Sequence, residues 1–295
     1  MPKNVKMTMA AIDYIESHLQ EKLSLKAVAE AVHYSKYHLH RMFAATTGLT
    51  VQTYVQRRQL TEAARLLVYS QRPILEIALS AGYESQQSFT DIFKAMYKKS
   101  PNQYREEQQF YPLQLKYVLT ESPASLEEQN WQDSIVFATD QDIPRWMELV
   151  SLVIDGFPYF NEKQYLLHLQ EYIRQKRALI LKGADTAMAA MAFHEIRGTI
   201  DFLGIHPLYR KRDIAEAFCQ KAAELTHSPQ ISVTSFREGD KADTGYRKIW
   251  RSLGFAEAEL LTEFGYPTQR FVYRKPPSEA SYSLQGERTA GDQRE

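Results

Sequence analysis

The chain has 295 residues, which is more than one typical core and predicts two domains of about 150 residues each. Its 44% hydrophobic and 24% charged residues exclude a disordered chain, and 12 Gly with 12 Pro exclude collagen-like or low-complexity architecture. The 36 basic and 36 acidic side chains cancel overall, but residues 1–105 carry about 14 basic against about 8 acidic ones. A basic third beside an acidic remainder favours a nucleic-acid-binding module near the N-terminus.

Cysteine usage and the first residues of the chain indicate its environment. The single cysteine, Cys219, cannot form an internal disulfide, and no Cys/His quartet has zinc spacing, which predicts a reducing compartment and no metal. The N-terminal residues lack a signal-peptide core, and no run of about 18 apolar residues occurs. We therefore expect a cytoplasmic protein that does not span a membrane.

The N-terminal third contains one sequence pattern twice, which we call unit one (residues 24–48) and unit two (residues 74–105). A helical stripe recurs about 49 residues later, so that Leu25, Val28, Ala29 and Val32 correspond to Ile74, Ile77, Ala78 and Ala81. After one inserted residue, an offset of about 50 pairs Ser35 with Ser85, Leu39 with Phe89, Met42 with Ile92 and Phe43 with Phe93, and it continues beyond unit one to pair Tyr54 with Tyr104. The chain therefore carries one structural element in duplicate.

Each unit predicts a helix-turn-helix. Ser35 and Ser85 are placed to cap the second helix of each unit through their side-chain oxygens. The break before each serine has the length of a helix-turn-helix turn, and Gly82 suits a left-handed backbone there. Residues 50–69 predict one long helix that would hold the units at a fixed spacing. Two recognition helices must enter major-groove segments about 34 Å apart, so a single chain could read two half-sites.

The segments SLKAVAEAVHYSKYHLHRMFAATTG and ILEIALSAGYESQQSFTDIFKAMYKKSPNQYR resemble the DNA-binding domain of the AraC/XylS transcription regulators. The resemblance covers residues 5–106 and implies an all-α double helix-turn-helix domain that binds double-stranded DNA. It also implies that base-reading side chains lie on the exposed face of each second helix. In this sequence those positions are Tyr37, His40, Arg41, Gln86, Gln87, Ser88 and Thr90.

The residue types at these positions agree with base reading. Arg can form hydrogen bonds with guanine, Gln can form them with adenine, and Thr can contact the thymine methyl group. Each good contact gives about 1–3 kcal/mol of discrimination against the wrong base. Asp91 stands where unit one has Arg41, and because a carboxylate is repelled by phosphates unless it accepts from cytosine, we expect unit two to bind more weakly. Basic residues expected at phosphates are Lys36, Arg57, Arg58, Lys94, Lys98 and Lys99. The alternative is that these polar residues are the solvated faces of a helical bundle.

Residues 107–130 lose helical periodicity and hold two prolines, which predicts a linker. From residue 131 to 275 short strands alternate with helices, which indicates an α/β (α+β) domain that ends in a hairpin. The last stretch, residues 276–295, is polar and without periodicity, so it is predicted to be a disordered tail.

One segment of this second domain, DFLGIHPLYRKRDIAEAFCQKAAEL, predicts a strand that runs through a basic turn into a helix N-terminus. Free N–H groups and the helix dipole favour a phosphate or pyrophosphate at that position. The segment resembles the acetyl-coenzyme A site of the GNAT N-acetyltransferases, and residues 250–255 resemble a late helix and turn of that fold. The resemblance implies a mixed central sheet and a site for acetyl-CoA, with no metal. The implied cofactor residues are Leu203, Ile205, Arg210, Lys211, Arg212, Asp213, Ile214 and Ala215.

Two departures from the GNAT pattern affect catalysis. Asp213 stands at the first glycine of the motif, and Trp250 stands where the family has its thiol-protonating tyrosine. Tyr246, one turn earlier, could replace that tyrosine as the general acid. Asp201 is the candidate base, with Glu195 and Asp243 as other carboxylates that could deprotonate an amine. Cys219 is expected to be a packed side chain rather than a nucleophile.

These observations lead to one main hypothesis and two alternatives. The main hypothesis is a transcription regulator whose helical domain binds DNA and whose GNAT-like domain binds a small-molecule effector such as acyl-CoA. The first alternative is a bifunctional protein with an active acetyltransferase domain that modifies an amine of a small molecule or protein. The second is that the α/β domain serves only as a dimerisation or recruitment surface.

Overall fold

The computed structural model describes residues 3–119, 130–153, 161–210 and 212–275. Its N-terminal part consists of seven helices. They are α1 (Lys3–Ser17), α2 (Leu25–Ala31), α3 (Lys36–Thr47), α4 (Val51–Tyr69), α5 (Ile74–Ser80), α6 (Gln86–Tyr97) and α7 (Pro101–Glu107). Helices α2 and α3 form the helix-turn-helix of unit one, and α5 and α6 form that of unit two. The all-α double helix-turn-helix predicted from the repeat is therefore confirmed.

Matching caps fix the ends of the second helix in both units. The side chain of Ser35 accepts a hydrogen bond from the His38 N–H, and that of Ser85 accepts one from the Ser88 N–H, as the sequence predicts. At the C-terminal end, Gly48 with φ 76° and Lys98 with φ 62° both adopt the left-handed conformation. A lysine accepts the strained conformation that glycine takes without cost.

The long helix α4 joins two apolar cores. Its first half packs with α1 and unit one, where Phe43 and Tyr54 are fully buried, and its second half packs with unit two, where Phe93 and Tyr97 are fully buried. The spacing of the units is therefore set by a helix that belongs to both cores. None of the helices in the described ranges is long and apolar enough to cross a membrane.

The first part of the predicted linker is a buried segment on the helical domain. Residues 109–119 form neither helix nor strand, yet Tyr111, Leu113 and Tyr117 are buried against α4. The hydroxyl of Thr61 accepts hydrogen bonds from the N–H of Leu113 and of Gln114, both at 3.1 Å. Side chains of α4 thus replace the pairing that a strand would supply. Residues 120–129 of the predicted linker lie outside the described residues.

The C-terminal part is an α/β domain with one mixed sheet. Its strands are β1 (Ile135–Phe137), β2 (Ala178–Lys182), β3 (Ala187–His194), β4 (Thr199–Ile205), β5 (Gln230–Phe236), β6 (Ala256–Glu263) and β7 (Tyr266–Arg274). They lie in the order β1-β2-β3-β4-β5-β7-β6, and every neighbouring pair is antiparallel except β4 with β5, which is parallel. The mixed central sheet and the terminal hairpin are confirmed.

Helices cover both faces of this sheet. They are α8 (Trp131–Ser134), α9 (Ile143–Val153), α10 (Glu162–Arg174), α11 (Arg212–Leu225) and α12 (Tyr246–Ser252). Helices α9 and α10 pack on one face through residues such as Trp146 and Leu169, whereas α11 and α12 pack on the other through Phe218 and Trp250. The predicted tail, residues 276–295, lies outside the described residues.

Candidate nucleic-acid interface and ligand cleft

The residues predicted to read bases lie on the outward faces of α3 and α6. Phe43 and Phe89 turn inward from the same helices and are fully buried. Tyr37 is 77% exposed, and of the predicted base-reading residues only Thr90 is half-buried. The structure therefore presents two polar helix faces that a groove of DNA could receive.

Unit two has hydrogen bonds on this face that the sequence did not predict. The side-chain amide of Gln87 donates to Oδ1 of Asp91 at 2.9 Å. The Ser88 hydroxyl donates to the Ser85 carbonyl at 3.0 Å, and the Ser88 N–H donates to the Ser85 side chain. Ser88 is thus part of the helix cap, and Asp91 orients Gln87 as well as adding negative charge.

The prediction that Arg57 and Arg58 contact phosphates is wrong. Arg57 is 1% exposed and donates to the carbonyls of Leu113, at 2.7 Å, and Ala242, at 3.0 Å. Arg58 is also buried, and its guanidinium forms an ion pair with Glu16 at 2.8 Å. Both side chains lie on the inner side of α4, since the 3.6-residue period gives that helix a buried stripe that includes these two positions.

Lys98 and Lys99, also predicted at phosphates, are engaged in ion pairs. Nζ of Lys98 lies 2.8 Å from Oδ1 of Asp240 in the α/β domain, and Lys99 pairs with Glu107. Lys36 and Lys94 remain exposed on the surface that bears the recognition helices. Two of the six predicted phosphate contacts therefore keep the exposure that this role needs.

In the sheet of the α/β domain, β4 and β5 are paired over two residues each, and we use the term cleft for the unpaired stretch that follows. Their parallel pairing is confined to Thr199 with Ser232 and Ile200 with Val233. The next residue, Asp201, forms a β-bulge in β4, because it has no partner residue in β3. From Asp201 to Ile205 the side of β4 that faces β5 pairs with no strand among the described residues. This edge offers main-chain N–H and C=O groups to an extended ligand.

The described residues of the implied cofactor set follow the unpaired stretch of β4 and differ in exposure. Leu203 and Ile205 are half-buried on the α11 face, and Ile214 and Ala215 are buried in the core, so that only main-chain groups of the last two can face a ligand. Asp213 is exposed in the first turn of α11. Lys211 and the side chain of Arg212 lie outside the described residues. Arg210 is half-buried, and its side chain lies beside Gly48 at the end of α3 in the helical domain.

The turn that follows β4 contains a buried histidine. Nδ1 of His206 accepts a hydrogen bond from the Leu208 N–H at 3.2 Å, and its ring packs 5.4 Å from that of Tyr209. Burial, aided by the positive charge of Arg210, lowers the pKa of His206 to about 4. The imidazole is therefore neutral at physiological pH, and it positions the turn by accepting the hydrogen bond from Leu208 rather than through a charge.

The structure does not bring the two candidate catalytic residues together. Tyr246 is half-buried beside the apolar cluster on the α11 and α12 face. Asp201 is exposed and accepts hydrogen bonds from the hydroxyls of Tyr172, at 2.7 Å, and Thr199, at 2.8 Å. Because Tyr172 belongs to α10, this carboxylate is held toward the opposite face of the sheet.

The other residues considered for catalysis have structural positions. Asp243 accepts from the N–H of Tyr246 at 2.8 Å and so holds the first turn of α12. Glu195 lies in the turn between β3 and β4, at the far end of β4 from the cleft. Trp250 is buried in the core. Cys219 is buried as expected, and burial together with the charge of Glu216 raises the pKa of its thiol to about 12, which leaves it unreactive.

The helical domain rests on the α/β domain at the ends of β4 and β5. Leu208, after β4, packs into the core of unit one, whereas Phe236 and Ala242, at and after the end of β5, pack into the core of unit two. No local sequence pattern predicts this contact. Its only signal was the basic N-terminal third beside an acidic remainder, because the contacting residues are more than a hundred positions apart.

The comparisons with known proteins agree with the geometry of the helical domain. The chain matches the family described as "Helix-turn-helix domain" over residues 28–107. It is 44% identical over 94 residues to the multiple antibiotic resistance protein MarA of Escherichia coli (strain K12), which covers 32% of this chain and 74% of that protein. The chain belongs to the AraC-type helix-turn-helix family. The resemblance of the N-terminal segments to the AraC-type DNA-binding domain is therefore confirmed.

Other similarities cover a smaller share of the relative's length or have a lower sequence identity. The chain is 40% identical over 100 residues to YbfP of Bacillus subtilis (strain 168), described as an uncharacterised HTH-type transcriptional regulator, and spans 34% of the length of that relative. The structure of a GNAT-family acetyltransferase from Bacillus cereus ATCC 10987 aligns at 14% identity and a TM-score of 0.37, covering 48% of this chain and 97% of that chain. The GNAT resemblance of the α/β domain stays a prediction.

Proposed function

We propose that this AraC-type DNA-binding transcription regulator reads double-stranded DNA with α3 and α6 and binds an acyl-CoA effector in the cleft between β4 and β5. The DNA-binding part is supported by the two exposed polar faces held at fixed spacing by α4. The observation that carries the effector assignment is the edge of β4 left unpaired by β5, which is followed in the chain by Arg210 and by the N-terminus of α11.

The chemistry of the cleft fits the two halves of an acyl-CoA molecule. The pantetheine arm is a chain of amides, and its N–H and C=O groups can pair with the edge of β4 from Asp201 to Ile205 as an added strand would. That edge is about 13 Å long, since a strand rises about 3.3 Å per residue. The pyrophosphate would then reach the N–H groups at the start of α11, where the helix dipole favours negative charge.

Two charged side chains at this end of the cleft should have opposite effects on the affinity for acyl-CoA. Arg210 would attract the pyrophosphate, whereas the exposed carboxylate of Asp213 in the first turn of α11 would repel it. The affinity for acyl-CoA should therefore rise when Asp213 is neutralised and fall when the charge of Arg210 is reversed. A cleft that binds something uncharged would respond to neither change.

The test is a calorimetric titration of the full chain with acetyl-CoA. We expect the Asp213→Asn variant to bind more tightly and the Arg210→Glu variant to bind at least about tenfold more weakly. The matched control is Arg197→Glu, the same charge reversal in the turn between β3 and β4, and it should bind like the wild type. At about 100 times its dissociation constant, acetyl-CoA should raise the free energy of unfolding by about 2.7 kcal/mol. No binding at millimolar acetyl-CoA would remove the acyl-CoA effector and leave the DNA-binding function intact.

An active acetyltransferase is the second candidate function. It is favoured by the position of Tyr246, whose ring packs against the same apolar cluster as Leu203 and Ile205 of β4. If Tyr246 protonates the departing thiolate, the Tyr246→Phe variant should lower turnover by about 100-fold or more without changing the affinity for acetyl-CoA. The assay is release of free thiol from acetyl-CoA with a panel of polyamines and lysine peptides. A wild-type chain that binds acetyl-CoA without turnover would be a sensor only.

A further inference from the structure

Each helix-turn-helix unit touches the α/β domain at the same position of the repeat. Gly48 and Lys98 are 50 residues apart, which is the offset of the repeat, and both are the left-handed residue that ends the second helix of a unit. In unit one, a Cβ built on Gly48 would lie 2.8 Å from Nη1 of Arg210. In unit two, Lys98 forms its ion pair with Asp240. Equivalent points of the two units are therefore held by the same domain.

The two contacts stand on either side of the cleft. Arg210 follows β4 by five residues, and Asp240 follows β5 by four. Asp240 is firmly held, because it also accepts from the Tyr266 hydroxyl at 3.0 Å and from the Ala242 N–H at 2.9 Å. The helical domain thus spans the mouth of the cleft, with unit one at the end of β4 and unit two at the end of β5.

Arg210 has two competing places for its guanidinium. In the structure it lies at the C-terminal end of α3, where the last carbonyl groups carry partial negative charge and favour a cation. In the proposed acyl-CoA complex it would lie at the pyrophosphate, which attracts a guanidinium more strongly through charge-assisted hydrogen bonds. A single side chain cannot occupy both places.

We propose that Arg210 couples the two domains, so that binding of the acyl-CoA pyrophosphate withdraws it from Gly48, releases unit one from the α/β domain and weakens DNA binding. The proposal rests on the acyl-CoA effector proposed above. The two contacts with the α/β domain reinforce the spacing that α4 sets. Loss of one contact gives unit one more freedom relative to unit two, and because this freedom must be given up on the duplex, DNA binding becomes weaker. Coupling between binding sites is reciprocal, so DNA should weaken acyl-CoA binding by the same factor.

The experiment measures the affinity of the full chain for DNA with and without acetyl-CoA. The probe is a duplex that the full chain itself selects from a random-sequence pool, and the salt concentration is kept fixed. We expect saturating acetyl-CoA to weaken binding of this duplex on the order of tenfold, within the range typical of allosteric coupling. In the same samples, hydrogen exchange at the Gly48 N–H, which donates to the Ala44 carbonyl, should become faster.

A pair of glycine variants tests the role of the contact without changing a residue of the cleft. In Gly48→Ala the new Cβ would displace Arg210, so DNA binding should already be weaker without acetyl-CoA and should change less than about twofold when it is added. The matched control is Gly265→Ala, whose φ of +73° resembles the +76° of Gly48 but whose Cβ would meet nothing within 4 Å. Gly265→Ala carries the same backbone strain and should keep the full response.

The outcomes separate this proposal from the function on which it rests. Calorimetry reports acetyl-CoA binding without DNA, so an absence of binding overturns both the effector and the coupling. Binding of acetyl-CoA with unchanged DNA affinity and unchanged exchange at Gly48 overturns the coupling and leaves the effector assignment in place. A Gly48→Ala chain that folds and still shows the full response overturns the role of Arg210. The hydrogen exchange of the wild type decides the question if that variant does not fold.

Discussion

Units one and two share their buried and capping positions but differ on the surfaces that they present. Ser35 and Ser85 cap their second helices alike, and apolar side chains fill the same positions of each core. On the exposed face, however, Arg41 of unit one corresponds to Asp91 of unit two. The C-terminal end of the second helix is a glycine in one unit and a lysine in the other. Folding therefore requires the same buried and capping positions in both units, whereas the exposed positions can differ.

The greatest loss of stability should follow the removal of Arg57, one of the residues that join α4 to the α/β domain. Arg57→Met removes two hydrogen bonds from a charged donor and leaves the buried carbonyls of Leu113 and Ala242 without it. We expect the free energy of unfolding to fall by about 3 kcal/mol or more, measured by urea denaturation of the full chain.

The control for this change lies on the same helix. Arg65 is 53% exposed in its side chain and pairs with Glu62, so Arg65→Met should cost no more than about 0.5 kcal/mol. Equal losses in the two variants would mean that Arg57 does not join the domains.

A second prediction concerns the effect of pH on His206, in the turn after β4 that contacts unit one. The pKa of His206 is about 4 in the folded chain and about 6.5 in an unfolded one, so the unfolded chain binds the proton first. Stability is therefore intact above pH 6.5 and falls by about 3 kcal/mol as the pH decreases from 6.5 to 4. His206→Asn keeps a side-chain acceptor for the Leu208 N–H but does not titrate. We therefore measure the unfolding free energy of both chains across this pH range. The wild type should lose stability relative to the variant as the pH falls, and a difference that stays constant would contradict the prediction.

The third prediction concerns how the two units read DNA. Arg41→Ala should cost about 1–3 kcal/mol of discrimination at one base pair, because a bidentate contact with guanine is lost. Lys36→Ala, on the same helix, should weaken all sequences equally and reduce the salt dependence by about one ion. Binding of duplexes changed at single positions separates the two results. A uniform loss for Arg41→Ala would show that it contacts only phosphate.

The smallest effect is expected at the equivalent position of unit two. Asp91→Asn keeps a hydrogen-bond acceptor for Gln87 and removes a negative charge that faces phosphates. DNA affinity should rise by less than about 1 kcal/mol, with the gain shrinking as salt is added. A loss of affinity, confined to duplexes with a cytosine at one position, would show instead that Asp91 accepts a bond from that base.

The duplicated helix-turn-helix and its serine caps could be predicted from the sequence, and so could the left-handed conformation of Gly82, whose φ is 79°. These features depend on residues close together in the chain, where apolar spacing and capping side chains act locally. The order of helices and strands in the α/β domain was predictable for the same reason. The sequence also predicted that Cys219 is a packed side chain, because a small apolar residue in a helical stripe is normally buried.

The exposure of the basic side chains, in contrast, depends on how the elements pack in three dimensions. Arg57, Arg58 and Lys98 have the charge of phosphate contacts, but their partners are Leu113, Glu16 and Asp240, which are between 42 and 142 positions away in the chain. The separation of Tyr246 from Asp201 on opposite faces of the sheet was likewise set by strand order and by the bulge in β4. Local pattern fixes which residues form an element, whereas the packing of elements fixes what each side chain meets, and that packing depends on contacts that sequence spacing does not encode.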